Sequence, residues 1–252
     1  KPLPVRWALW LGDFVTGDFG VQFSATGQPP VSDLIAERLP RSLMLLVMAQ
    51  TMAVIISVPW AIWSAAKANS AVDRTSTVMT FLLIGMPTFA LGIILKYGLS
   101  IRFDWFPATF VANDPFWTRA WQMFLPALTL ALPAAAVYQR LLRTDLITTL
   151  QEDFILTARS KGVSKRNVLF KHALRPSLFS FITIAGVTTG TLIGGALVVE
   201  QIFRIPGLGS AIVEAILRED FPVVLAIVMI VTITFVVLNV LIDILYSIID
   251  PR

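Results

Sequence analysis

The chain has no cysteine, which removes disulfide frameworks and thiolate metal sites together. It has one histidine, His172, and a lone imidazole beside Lys171 and Arg175 reads as a polar loop contact rather than a ligand. Charge is scarce. Asp, Glu, Lys and Arg make up 14% of the 252 residues, where an average soluble domain carries about 25%. There is no GxxxxGK[ST] run, so the chain cradles no nucleotide phosphate by itself. HExxH is missing too, and no apolar stretch holds two carboxylates that could face each other, so metalloprotease and aspartyl-protease chemistry have no residues to stand on. Gly207 and Gly209 in "PGLGSAI" lack a third glycine and a βαβ setting; they read as turn glycines ahead of a helix.

What the chain has in quantity is oil: 56% of its residues are hydrophobic, more than a water-soluble fold can hide. The apolar residues run continuously instead of alternating, which points to an all-α, polytopic helical membrane protein and not to a barrel. Five uncharged stretches reach the roughly 20 residues that a bilayer core requires: 43–66, 78–95, 121–138, 177–199 and 221–242, the last staying apolar to about 248. Pro59, Pro87, Pro126 and Pro133 lie in or near these spans and favour kinks. The excess of base, 20 Lys and Arg against 16 Asp and Glu, follows the cytoplasmic bias of membrane proteins and needs no nucleic acid. Segments 64–77 and 139–176, with Arg252, carry most of it and fall on one side if the spans alternate. That side is cytoplasmic, which puts 1–42, 96–120 and 200–220 outside. Lys1 then starts outside without a signal peptide, so a first helix, and six spans in all, are expected of the complete protein. Outside, Trp7 and Trp10 suit an interface, 31–39 reads as a short helix closed by Pro40, and 209–220 as another with Ser210 at its N-cap.

Between two of the oily runs lies "TARSKGVSKRNVLFKHALRPSL" (157–178), with six Lys or Arg from Arg159 to Arg175 and no carboxylate. Ahead of it, Glu152 and Asp153 suit a helix's first turn, and Phe154, Ile155 and Ala158 share a helical face. Gly162 breaks that helix, and Ser164 caps a second short one over 164–174. A basic loop on anionic lipid accounts for the charge but not for the glycine break or the apolar face.

The segment resembles the cytoplasmic "EAA" loop of ABC-importer permeases, whose pattern is EAA-x3-G-x9-I-x-LP. Gly162 falls on the glycine and Leu174 on the leucine. Leu156, Thr157 and Ala158 fall on E-A-A, His172 on the isoleucine and Arg175 on the proline, with Pro176 one place later. The "TARSKG…HALR" variant looks like the dipeptide/oligopeptide/nickel branch, as do "GGALVVEQIFRIPGLGSAIVEAILREDFPVV" (194–224) and the C-terminal "NVLIDILYSIIDPR". The resemblance implies a single permease domain over 1–252 with the type I importer fold. It implies a second, homologous permease, two ATPase subunits that carry ATP and Mg, and an extracytoplasmic solute-binding protein that brings peptides. No cofactor is implied for this chain. Asp153, Phe154, Thr157, Ala158, Arg159, Lys161 and Gly162 would form the coupling helix, with the small Ala158 turned to the ATPase groove.

Gly186, Gly190 and Gly194 recur every four residues, a helix-packing face or, with Thr188, Thr189 and Thr191, a pore lining. Asn239 and Asp243 lie near the end of the last span, where a carboxylate is a functional candidate. Two other readings compete. An ion-coupled secondary carrier needs ionisable groups at mid-span, and an intramembrane enzyme needs catalytic groups converging at depth; neither set is present.

Overall fold

A computed structural model describes residues 2–23 and 26–249. Lys1 and Arg252, on which part of the topology reading rests, lie outside the described residues, as does the side chain of Asp243. Among the described residues the architecture is helical, with one isolated bridge between Val21 and Pro30. Four helices are long and apolar enough to cross a membrane: Val31–Ala66, Phe116–Thr149, Lys165–Phe203 and Phe221–Leu241. The bent pair Ala71–Gly85 and Thr88–Arg102 makes a fifth.

α1 (Leu3–Val15) opens the chain with Trp7 exposed. α2 (Val31–Ala66) runs unbroken through Pro40 and Pro59, so the short helix closed by Pro40 is not formed. Burial on both sides of Pro40 holds the axis. Val31 and Ile35 pack with Leu208, Ala211 and Val223, while Leu45, Ala49 and Ala53 enter the main core. That burial outweighs the roughly 3 kcal/mol a mid-helix proline costs.

α3 (Ala71–Gly85) and α4 (Thr88–Leu95), with its π-helical extension Lys96–Arg102, replace the straight second span with two limbs bent by 105°. Met86 is extended, at φ −85° and ψ 123°, as the residue before a proline prefers. Pro87 then offers no N–H to continue the ladder.

α5 (Phe116–Thr149) is the central element, and its largest interface is with α2. Ala127, Ala131, Ala134 and Ala135 of α5 and Ala49 and Ala53 of α2 are buried in the same core; small side chains let helix backbones approach closely. α6 (Asp153–Ser160) is short. α7 (Lys165–Asn167) passes through a π-turn at Val168–Ala173 into α8 (Leu174–Phe203). The expected separate helix over 164–174 is therefore the first part of a 39-residue helix, Lys165–Phe203. α9 (Leu208–Leu217) and α10 (Phe221–Ile249) complete the chain. Gly207, not Ser210, is the N-cap of α9. The Ser210 hydroxyl instead donates to Gly207 O at 2.9 Å from inside the first turn.

Candidate coupling surface

One turn separates α5 from α6: Glu152 N donates to Thr149 O at 3.2 Å and Ile155 N to Glu152 O at 3.0 Å. Asp153 sits in the first turn, where the helix dipole favours a carboxylate. α6 closes in a Schellman motif. Val163 N reaches back to Ala158 O at 3.2 Å and Gly162 N to Arg159 O at 2.9 Å. This geometry requires the left-handed backbone at Gly162, φ +80°. Ser164 restarts the helix, its Oγ accepting from Asn167 N at 3.4 Å.

α6 is amphipathic, with its faces assigned differently from the sequence reading. Ile155 is fully buried, in one cluster with Leu142, Leu146, Val168 and Ala173. Ala158 is also buried, so it lies against its own bundle and not open to a partner groove. The reason is the spacing: Ile155 and Ala158 are three residues apart, on the face that closes the bundle. Phe154 turns outward instead, 49% exposed, with Leu156 and, further on, Phe170. Asp153, Thr157, Arg159, Lys161 and Gly162 are exposed around them. The outer face thus combines large apolar groups with a basic rim, a composition suited to a soluble partner. His172 is half-buried.

Three buried polar arrangements tie the spans together, and the sequence reading missed all of them. In the first, Arg143 of α5 grips Asp73 of α3 with two bonds, Nε to Oδ1 and Nη2 to Oδ2, each 2.6 Å. Ser64 Oγ adds a bond to Oδ1 at 2.8 Å and Asn69 N one to Oδ2 at 2.9 Å. A trace was visible in "NSAVDR": Ser70 and Asp73 make the Ser-x-x-acid spacing of a helix start, and Asp73 N does donate to Ser70 Oγ. Beside this pair, Ser76 Oγ accepts from Trp60 Nε1 at 2.7 Å and from Gln139 Nε2 at 3.2 Å, linking α2, α3 and α5.

In the second, the Tyr138 hydroxyl donates to Gln50 Oε1 at 3.0 Å, and Gln50 Nε2 to Ala185 O at 3.3 Å, joining α5, α2 and α8. In the third, the buried Glu200 of α8 accepts from Ser42 Oγ at 2.6 Å and from Ser210 N at 3.0 Å. Ser42 Oγ in turn accepts from Leu208 N at 2.8 Å. Gly207 and Gly209 are needed because a Cβ on either would run into the Glu200 carboxylate, and one on Gly209 would also lie 2.6 Å from Leu197 Cα.

The glycine face of α8 divides. Gly186 is buried. A Cβ at Gly190 would come 2.6 Å from Phe235 Cε2 of α10, whereas nothing lies within 4 Å of one at Gly194. Gly195 is the glycine opposed from α5, by Leu130 at 3.0 Å. Thr189 is buried and donates to Ala185 O at 3.0 Å. Asn239 donates to Phe235 O on its own helix.

Residues 57–252 match the family described as binding-protein-dependent transport system inner membrane component. The chain belongs to this family. Over its whole length the permease is 40% identical to the oligopeptide transport system permease protein AppB of Bacillus subtilis (strain 168), of which the match covers 80%. It is 36% identical over its whole length to the glutathione transport system permease protein GsiC of Escherichia coli O1:K1 / APEC, covering 79% of that relative. An inward-facing form of the MetNI methionine ABC transporter superposes with TM-score 0.73 at 14% identity, over 86% of this chain and 96% of that one. At that identity the likeness speaks for the fold, and it is the importer-permease fold. The permease is a multi-pass inner-membrane component of a binding-protein-dependent ABC importer, and neither an ion-coupled carrier nor an intramembrane enzyme.

Proposed function

We propose that this permease imports peptides handed to it by a solute-binding protein, in a complex with a homologous second permease and two ATPases that hold ATP and Mg. The observation that carries the cargo assignment is the full-length similarity, at 36–40% identity, to relatives named for oligopeptide and glutathione transport. In this reading the whole chain is one permease domain. The basic loops, and with them α6 and the C-terminus, face the cytoplasm.

Within it α6 is the coupling helix. Phe154, Thr157, Arg159 and Lys161 meet the ATPase, Asp153 and Gly162 shape the two ends, and Ile155 and Ala158 fasten the helix to its own bundle. The exposed Phe154 and Leu156 support this, being large apolar groups on a segment too charged to sink into lipid. The test is uptake of radiolabelled peptides by proteoliposomes holding the whole complex, with binding protein and ATP supplied. Peptide accumulation that requires ATP supports the assignment. ATP hydrolysis stimulated by a loaded binding protein of another ligand class, with no peptide uptake, refutes it.

A further inference from the structure

α9 is capped from outside itself. Its N-cap, Gly207, has no side chain with which to meet the orphan N–H groups of the first turn. Two other helices meet them instead. Leu208 N donates to Ser42 Oγ of α2 at 2.8 Å, and Ser210 N to Glu200 Oε2 of α8 at 3.0 Å. The Ser42 hydroxyl gives its own proton to Glu200 Oε1 at 2.6 Å. One hydroxyl and one carboxylate thus fix α9 to α2 and α8 at a single point, with the carboxylate at the helix end that favours negative charge. These caps exist only while α9 is seated.

The joint lies on a seam. The buried apolar side chains form two separate clusters. The main one takes Leu45 and Ala49 from α2 and Ala196 and Val199 from α8. The other joins Val31 and Ile35 of α2 to Leu208 and Ala211 of α9 and to Val223 and Ile227 of α10. α2 contributes to both, and between its two shares stands Pro40, which has no N–H to bond Ala36 O. Just beyond the joint the chain leaves α8 through Arg204, a non-glycine residue in the left-handed region at φ +54°. A cavity of about 30 Å³ adjoins the Glu200 carboxylate. Its lining includes Leu46 and Ile193, which pack in the main cluster, and Leu208 and Val231, which pack in the other. Interiors are otherwise close-packed, so the gap marks where two bodies meet.

We propose that the second cluster, made of residues 31–39 of α2, α9 and the first turns of α10, is a lid that rocks on the main bundle about Pro40 and the Arg204 turn. The Glu200 joint is its latch. When the lid lifts, Leu208 N, Ser210 N and the carboxylate lose their partners together. Each such loss is costly in a buried place, so half-open positions are disfavoured and the latch acts as a switch. The lid sits at the end of Lys165–Phe203 away from α6. The inference rests on the reading of that end as the one that meets the solute-binding protein, whose docking releases the latch.

The experiment uses the complete complex in proteoliposomes. Glu200→Gln keeps the shape of a buried side chain and removes its charge. Bonds to a charged group are the stronger ones, so the variant should raise ATP hydrolysis without binding protein by roughly tenfold. A residue that merely held the fold together would lower it. Ser42 and Leu208 stand within disulfide reach, since only 2.8 Å separates the Ser42 Oγ from Leu208 N, and the chain has no cysteine of its own. Oxidation of Ser42→Cys/Leu208→Cys should abolish the hydrolysis that loaded binding protein stimulates, and reduction should restore it. Spin labels on Glu214→Cys of α9 and Ile101→Cys of the main bundle, both exposed positions, should show a second distance in the vanadate-trapped complex that the nucleotide-free complex lacks. Hydrolysis by Glu200→Gln at or below the wild-type level overturns the latch. So does full stimulation of the oxidised pair, or one unchanging distance in every state. Where Glu200→Gln or the cysteine pair fails to assemble, the labelled distance decides. A wild type that no loaded binding protein stimulates refutes the partner assignment instead, and the labelled distance then decides the latch alone.

Discussion

Removing the guanidinium of Arg143 is the most quantitative test of how the spans are joined. Asp73 is held by two 2.6 Å bonds from Arg143 and by two neutral donors, Ser64 Oγ and Asn69 N. Arg143→Met keeps most of the apolar stem but leaves a carboxylate with 6% of its side chain exposed and only those two donors. Breaking a buried pair from one side costs about 3–5 kcal/mol. The Arg143 side chain is 24% exposed, which sets the expected loss at the lower end, about 3 kcal/mol. For a chain of this size that is a fall in Tm of about 6–12 °C, read on detergent-solubilised complex by fluorescence-detected size exclusion. Asp73→Asn added to Arg143→Met should cost little more, since the orphaned charge goes with it. The charge swap Asp73→Arg/Arg143→Asp should fail to restore stability, because Ser64 and Asn69 would then point donors at a donor. Additive losses in the double variant, or recovery in the swap, would refute the reasoning.

Other outcomes follow from single positions. Gly190→Leu, which drives atoms into Phe235, should reduce the yield of folded permease, whereas Gly194→Leu, opening onto free space, should leave yield unchanged; both are read by quantitative immunoblot of membranes. Gly162→Val must place a β-branched residue at φ +80°, a strain of roughly 1–2 kcal/mol; the variant should insert normally yet lose coupled uptake, measured against ATP hydrolysis in the same vesicles. A cysteine at Ser164 should react with a membrane-impermeant maleimide from the cytoplasmic side and one at Thr109 from the opposite side. Gly209→Ala meets the Leu197 backbone and should lower Tm measurably, while Gly98→Ala meets nothing within 4 Å and should not.

The spans and the basic segment were legible because both are decided locally. A charge-free run of 20 residues has few places to go, and Gly162 and Ser164 mark their turns by their own backbone chemistry. What stayed hidden depends on partners distant in sequence. Pro40 carries a helix-breaking signal, but Ile35 on one side and Leu45 on the other are buried against different clusters, and that tertiary grip keeps the helix whole. Pro87 carries the same signal, and there the chain turns by 105°. Ala158 and Phe154 share the apolar stripe of α6, and only the position of Ile155 against Leu146 and Val168 decides which of them faces outward. Glu200 stands at the end of a greasy run, and its partner Ser42 lies 158 positions earlier, beyond the reach of any local pattern.

The 39-residue helix Lys165–Phe203 begins just after Gly162 and ends just past Glu200. At 1.5 Å per residue it is about 58 Å long, a beam with one end beside α6 and the other pinned to α2 and α9. Past the π-turn at Val168–Ala173 the helix runs on without a break. Tilting α8 should swing the Ser42–Glu200–Ser210 joint, and loading that joint should push back on α8. Defects at the two ends should therefore suppress one another in pairs, without any relay of side chains between them.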